Sequence, residues 1–306
     1  MNISKLSGVV PPVVTPLDKD KKFDKESFAK VINRMIDAGI HGVFALGSTG
    51  SVVFHTKDNR EEIVKAADEV IAGRVTLLVG CIDTQTDRVI EHIKVCEKYN
   101  VDAVVVTAPF YALDCQVNVE RHFRSIREAT KLPIFAYDLP ICVGKCLDRN
   151  MLVNLGKEGI IQGVKDSSGN DVNFRYLCME NEKHGHPLRI FTGHEVVVDG
   201  ALMSGADGCV PGLANVDPKL FVELYEAFIN NNYSELKSLQ DKAARLMAIT
   251  GCSEKPMGFG SGVGGFMTAL KLMGIISTNN LPEPTLPLND NEAKKVAVIL
   301  KSEGVF

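Results

Sequence analysis

Short apolar runs alternate along the chain with longer segments in which apolar residues recur every three or four positions. The runs read as buried strands and the longer segments as amphipathic helices. Gly8 to Val14 begins as a strand, and Pro11, Pro12 and Pro16 forbid a helix there. Asp24 is placed to cap a helix whose inner face is Phe28, Val31, Ile32, Met35 and Ile36, and Gly39 closes it. Further strands are expected at 42–46, 75–80, 102–107, 133–137, 160–165, 189–192 and 208–210. Helices are expected over 57–72, after Thr84 or Thr86, over 119–130 and 149–156, from Asp171, and over 195–204. Eight strand–helix units in this order predict an α/β fold, a (β/α)8 TIM barrel. Beyond Pro218 the pattern is helical, over 220–230, 233–250, 266–272 and 292–301. The expected organisation is a barrel over 1–217 with a C-terminal helical extension, 218–306, packed on it.

A doubly wound open sheet shares this alternation. The glycines that match a dinucleotide fingerprint, Gly260, Gly262 and Gly265, follow no apolar strand, so they read as a flexible helix–helix connection.

Composition narrows the function classes. With 306 residues, 45% hydrophobic and 24% charged, the chain is a globular protein with a large core. A net charge of -4 gives no general attraction to nucleic acid or to an anionic membrane, so the expected partner is a small molecule. Met1 to Leu6 lacks an export pattern and no apolar run is long enough to span a bilayer, so a cytoplasmic location is expected. Eight cysteines without a CxxC pair read as reduced thiols. Neither Cys142 with Cys146 nor His184-Gly185-His186 amounts to a ligand set, so no metal and no other cofactor is expected.

In a parallel barrel the chemistry sits at the C-terminal ends of the strands. The residues there are Ser48 and Thr49, Tyr111, Tyr137, Lys165, Gly193 and Val210. Lys165 ends an apolar run, Ile160-Ile161-Gln162-Gly163-Val164, where burial disfavours the charged amine. A neutral amine attacks ketones to form a Schiff base; a lysine snorkelling from a strand end is the plainer alternative. Glycines on both sides of Ser48-Thr49 allow a tight turn whose N–H groups converge on an anion. Tyr137 suits general acid–base work beside an imine.

Four ordered segments resemble the dihydrodipicolinate synthase and N-acetylneuraminate lyase superfamily of class I, pyruvate-dependent aldolases. Gly47-Ser48-Thr49-Gly50 is similar to its G-[ST]-T-G turn and Pro109-Phe110-Tyr111 to its PYY loop. Tyr137-Asp138-Leu139-Pro140 resembles its YNxP segment, and Gly163-Val164-Lys165-Asp166 its G-[IV]-K-[DE] strand. The resemblance implies an imine between Lys165 and pyruvate, proton transfer by Tyr137, and the pyruvate carboxylate on Ser48 and Thr49. It implies that Ser48 links Tyr137 to Tyr111 of a neighbouring subunit, that Gly193 and Val210 line the pyruvate pocket, and that the protein is a homo-oligomer, dimer or tetramer. Departures fall on the second substrate: Ser51 stands for the usual Glu, Asp138 for Asn, Phe110 for Tyr, and Cys142 for an Arg that grips the aldehyde's carboxylate in synthases. Losing that guanidinium removes roughly 1.5 to 3 kcal/mol of recognition. The expected reaction is therefore retro-aldol cleavage of a 2-keto-3-deoxy sugar acid to pyruvate and an aldehyde, with Ser167, Ser168, His194 and Glu195 available to sugar hydroxyls. 4-Hydroxy-tetrahydrodipicolinate synthase activity and a non-catalytic keto-acid-binding protein are the alternatives.

Overall fold

The computed structural model describes residues 3–112, 115–255 and 258–306; Met1 and Asn2, the start of the segment read above for an export pattern, lie outside them. Eight strands form one parallel sheet: β1 (Gly8–Val9), β2 (Gly42–Ala45), β3 (Thr76–Gly80), β4 (Ala103–Thr107), β5 (Ile134–Asp138), β6 (Gly163–Asp166), β7 (Arg189–Thr192) and β8 (Gly208–Cys209). From β2 to β8 each strand pairs with its neighbour in sequence, and β8 pairs with β1, with no reversal of strand order. That order removes the doubly wound alternative. The remaining seam, between β1 and β2, is closed through Phe44, whose N–H donates to Pro11 O at 2.9 Å and whose carbonyl accepts from Val13 N at 3.0 Å. Strand β1 is shorter than the apolar run predicts because Pro11 and Pro12 offer no N–H to a ladder. The carbonyl of Pro11 still accepts, so closure survives.

Helices cover the outside of the barrel. Asp24 caps Lys25–Asp37 by accepting from Ser27 N, and Phe28, Val31, Ile32 and Met35 of that helix are buried. Each such side chain contributes about 1.5–3 kcal/mol on burial. Helices Arg149–Lys157 and Asp171–Lys183, which flank β6, are capped by Asp148 and Asn170. Beyond 217, helix Pro218–Ile229 packs on β1 and on Lys25–Asp37, so the eighth outer helix comes from this segment. Helices Tyr233–Leu246, Phe259–Leu272 and Asp290–Ser302 follow.

The glycine-rich stretch Gly260 to Gly265 is not the expected connection; it lies inside helix Phe259–Leu272. Glycine disfavours a helix in isolation. Here tertiary packing wins, because a Cβ on Gly265 would stand 2.6 Å from the carbonyl oxygen of Ile249. Only a bare backbone allows that approach.

Side chains fill the barrel interior, with Phe44, Phe135 and Phe191 fully buried and a residual void of only about 10 Å3. Lys165 and Val210 both line that void. No described helix is long and apolar enough to cross a membrane.

Candidate active site

Register in the sheet decides which side chains meet. Thr107 on β4 pairs with Tyr137 on β5, Tyr137 with Lys165 on β6, and Lys165 with Phe191 on β7. Register partners point to the same face, and the residue after each points to the other. The row Thr107, Tyr137, Lys165, Phe191 therefore crosses four strands on one face, while Asp138 and Asp166, paired one residue later, occupy the opposite face. Lys165 and Tyr137 are 6% and 3% exposed. The Nζ of Lys165 donates to the Tyr137 hydroxyl at 3.2 Å and lies 4.2 Å from the centre of the Tyr137 ring and 5.0 Å from that of Phe44. The Ser48 hydroxyl lies 3.4 Å from that of Tyr137. Amine, phenol and serine hydroxyl thus form one connected path, with an aromatic wall around the amine.

The Ser48 turn leaves β2 through two non-glycine residues in the left-handed region, Leu46 at φ 54° and Ser51 at φ 58°. Its ends are tied by Ser51 N to Ser48 O at 3.0 Å and by the Thr15 hydroxyl to Gly50 O at 2.8 Å. Among the described hydrogen bonds none uses the N–H of Ser48 or Thr49. Paired free N–H groups in such a turn suit a carboxylate. Gly193 is pressed against the lysine: a Cβ there would stand 3.2 Å from Lys165 Cε and 2.1 Å from Ser167 Oγ. Val210, whose N–H donates to Thr192 O at 2.8 Å, is buried beside them. Tyr111 stands apart, 95% exposed and at φ 75°, so within one chain it does not reach Ser48 or Tyr137.

Residues 5–303 match the model of the dihydrodipicolinate synthetase family. The chain belongs to that family. An uncharacterised DapA-like lyase of Halobacterium salinarum is 31% identical over 98% of this chain and 95% of its own. The probable 2-dehydro-3-deoxy-D-pentonate aldolase YjhH of Escherichia coli K12 is 25% identical over 99% of both chains. The solved structure of dihydrodipicolinate synthase from Bacteroides thetaiotaomicron superposes with a TM-score of 0.92 at 29% identity, covering 99% of this chain and 100% of that one. The chain is therefore an enzyme, a carbon–carbon lyase.

Three acidic groups close to the lysine strand have raised carboxyls. Asp138 and Asp166 are both buried. Burial, reinforced by the charge of Asp166, pushes the Asp138 carboxyl up to about 7 against one hydrogen bond from Leu147 N at 3.1 Å. Burial also raises Asp166, whose carboxylate accepts from Ser168 N at 2.8 Å. Glu195 is pushed up to about 7 by burial, although its carboxylate accepts from Leu213 N at 2.6 Å and feels Lys165.

The groups expected to hold sugar hydroxyls are largely engaged within the protein. His194 Nδ1 lies 3.0 Å from the Asp171 carboxylate, Glu195 serves the Leu213 backbone, and Ser168 Oγ accepts from Asn170 N. Cys142 lies elsewhere, in the wall of a cavity of about 280 Å3 that also reaches Ser48 and Thr107. Thr107 joins the row of Tyr137 and Lys165 in addition to the strand-end residues that the sequence singles out. It is the last residue of the apolar run before Ala108-Pro109, where a lone threonine looks like any strand end.

Among the described residues no cluster of three His, Cys, Asp or Glu is arranged to hold a metal.

Proposed function

We propose that this lyase is a class I, pyruvate-dependent aldolase that cleaves a 2-keto acid reversibly to pyruvate and an aldehyde through an imine on Lys165. The observation that carries the reading is the path from Lys165 Nζ to the Tyr137 hydroxyl, 3.2 Å, and on to Ser48, 3.4 Å. A lysine amine enclosed by Phe44 and Tyr137 is poised for carbonyl attack. Tyr137 supplies and recovers the proton, and Ser48 connects it onward. The substrate carboxylate rests on the N–H groups of Ser48 and Thr49, with Gly193 leaving room beside the lysine and Val210 closing the floor. The protonated imine then takes up the electron pair released as the C–C bond breaks.

The sequence points to a 2-keto-3-deoxy sugar acid as that 2-keto acid; Ser167, against Gly193, remains as a hydroxyl partner on that side. Dihydrodipicolinate synthesis is less well supported, since among the described residues the cavity wall carries Cys142 and no charged residue to meet a second carboxylate. A keto-acid sensor would need the carboxylate turn but no proton path. The exposed Tyr111 supports a homo-oligomer, dimer or tetramer, in which a neighbour's ring completes the path. The acidic net charge and free cysteines are those of a cytoplasmic enzyme acting on small molecules.

Intact mass spectrometry after pyruvate and borohydride tests the reading. A reduced adduct on Lys165, absent from Lys165→Ala, is expected; a folded protein that gives no adduct would refute it.

A further inference from the structure

We propose that the cavity beside Ser48 seats the second substrate, and that it selects an aldehyde with an apolar tail, an alkyl chain or an aryl ring of roughly six to eight carbons. This rests on the imine reading above and replaces the polyhydroxylated tail expected from the sequence.

Three observations carry it. The cavity of about 280 Å3 shares Ser48 with the imine site, so a group bonded to the reacting carbon enters it directly. An apolar hole of ~150 Å3 already admits benzene. Its walls are apolar: Val52, Ile82, Phe110, Leu139, Val143 and Phe259 line it together with Cys142, and none of the described lining residues is charged. Sugar hydroxyls pressed against such walls would lose water without finding partners, which a binding site penalises strongly. Finally, the Thr107 hydroxyl is buried there with no hydrogen-bond partner among the described residues. Buried hydroxyls are otherwise almost always paired. Thr107 is the register neighbour of Tyr137, so its free hydroxyl lies next to the reacting row. An aldehyde carbonyl oxygen accepting from it would pair that hydroxyl, Ser48 being already engaged with Tyr137, and aim the tail at the apolar wall.

The chemistry balances without any further reagent. Lys165 Nζ adds to the C2 carbonyl of pyruvate, and Tyr137 protonates the hydroxyl that leaves as water, giving the protonated imine. The Tyr137 phenolate takes a proton from C3 to give the enamine. C3 then bonds to the aldehyde carbon, and the aldehyde oxygen takes that proton back from Tyr137. Water hydrolyses the imine, releasing a 4-hydroxy-2-keto acid and the free amine; cleavage runs the same steps in reverse.

The test uses the wild-type enzyme with saturating pyruvate, following loss of the pyruvate methyl signal by NMR with propanal, hexanal, benzaldehyde and D-glyceraldehyde. Each buried methylene should raise kcat/KM about fourfold, so hexanal should exceed propanal by at least tenfold, and hexanal and benzaldehyde should both exceed glyceraldehyde. A series flat in chain length, as when a second copy of the chain fills the cavity, overturns the proposal, as does a preference for glyceraldehyde. Borohydride trapping with pyruvate alone separates the two levels. An adduct with the wrong aldehyde preference overturns only the cavity assignment, whereas no adduct overturns the imine reading and this proposal with it. Cys142→Arg places a guanidinium in the wall and should lower the hexanal-to-glyceraldehyde ratio at least tenfold; an unchanged ratio contradicts the assignment.

Discussion

Replacing Asp138 by Asn should make the protein more stable at high pH and leave it nearly unchanged at low pH. Asp138 is 2% exposed, and burial together with Asp166 raises its carboxyl from 3.8 to about 7. A carboxyl whose folded pKa lies above its unfolded one favours the native state when protonated. That contribution is fully present below pH 3.8 and is lost as pH rises through about 7. A displacement of about three pKa units corresponds to roughly 4 kcal/mol, an upper limit because Asp166 relaxes when its neighbour ionises. Asn keeps an oxygen for Leu147 N and never ionises, so the variant escapes this loss.

Unfolding entropy of about 2.1 cal/mol/K per residue gives about 0.6 kcal/mol per degree for a chain of 306 residues. The difference in Tm between variant and wild type should therefore grow by up to about 6 °C between pH 4 and pH 8. Thermal scans of both proteins at one scan rate across that range make the measurement. Taking the difference matters. His55 and His122, which burial pushes down to about 4, gain the protein stability as pH rises toward 6.5. Glu195, raised to about 7, acts with the same sign as Asp138. Both effects are common to the two proteins and cancel. A Tm difference that stays flat from pH 4 to pH 8 would show that Asp138 ionises at no cost, and the argument from burial would fail.

The other predictions concern single contacts. Tyr137→Phe should lower kcat for aldol cleavage by roughly 10²- to 10⁴-fold while borohydride still traps pyruvate on Lys165; loss of trapping instead would make Tyr137 a structural support of the amine. Thr107→Val should lower kcat/KM for the aldehyde about twofold to tenfold, and no change would leave its hydroxyl without a role. Gly265→Ala forces a Cβ to within 2.6 Å of the Ile249 carbonyl, so Tm should fall by a few degrees, roughly 1–3 kcal/mol; an unchanged Tm would mean the helix shifts freely. Tyr111→Phe should lower kcat in a protein that sediments as a dimer or tetramer, and a fully active monomer would remove Tyr111 from the proton path.

Much of the fold is legible because the strands of a parallel barrel are continuous apolar runs separated by capped helices, and caps such as Asp24 are local chemistry. The exceptions have physical causes that span the chain. Pro11 and Pro12 shorten β1 by removing donors, a local effect, yet closure depends on Phe44, over thirty residues away. The helix through Gly260 to Gly265 depends on Ile249 lying close enough to demand a bare backbone, which no local pattern reports.

The site divides along the same line, and the strand period explains how. Residues ending adjacent parallel strands become neighbours once register is set, so the chemical types of Tyr137 and Lys165 already suggest a pair before their 3.2 Å contact is seen. What the period adds is that the next residue on each strand, Asp138 and Asp166, must be adjacent as well and on the other face. Reactive row and acid row are thus one step apart on the same two strands. A carboxylate where the family usually has Asn consequently changes the charge behind the amine without entering its cavity. Thr107 belongs to the reactive row by the same rule. Its identity is ordinary, and only its lack of a partner among the apolar walls around it marks it as a point of recognition. Sequence carries which residues share a row; solvation and partnering, which select among them, exist only after the chain has closed.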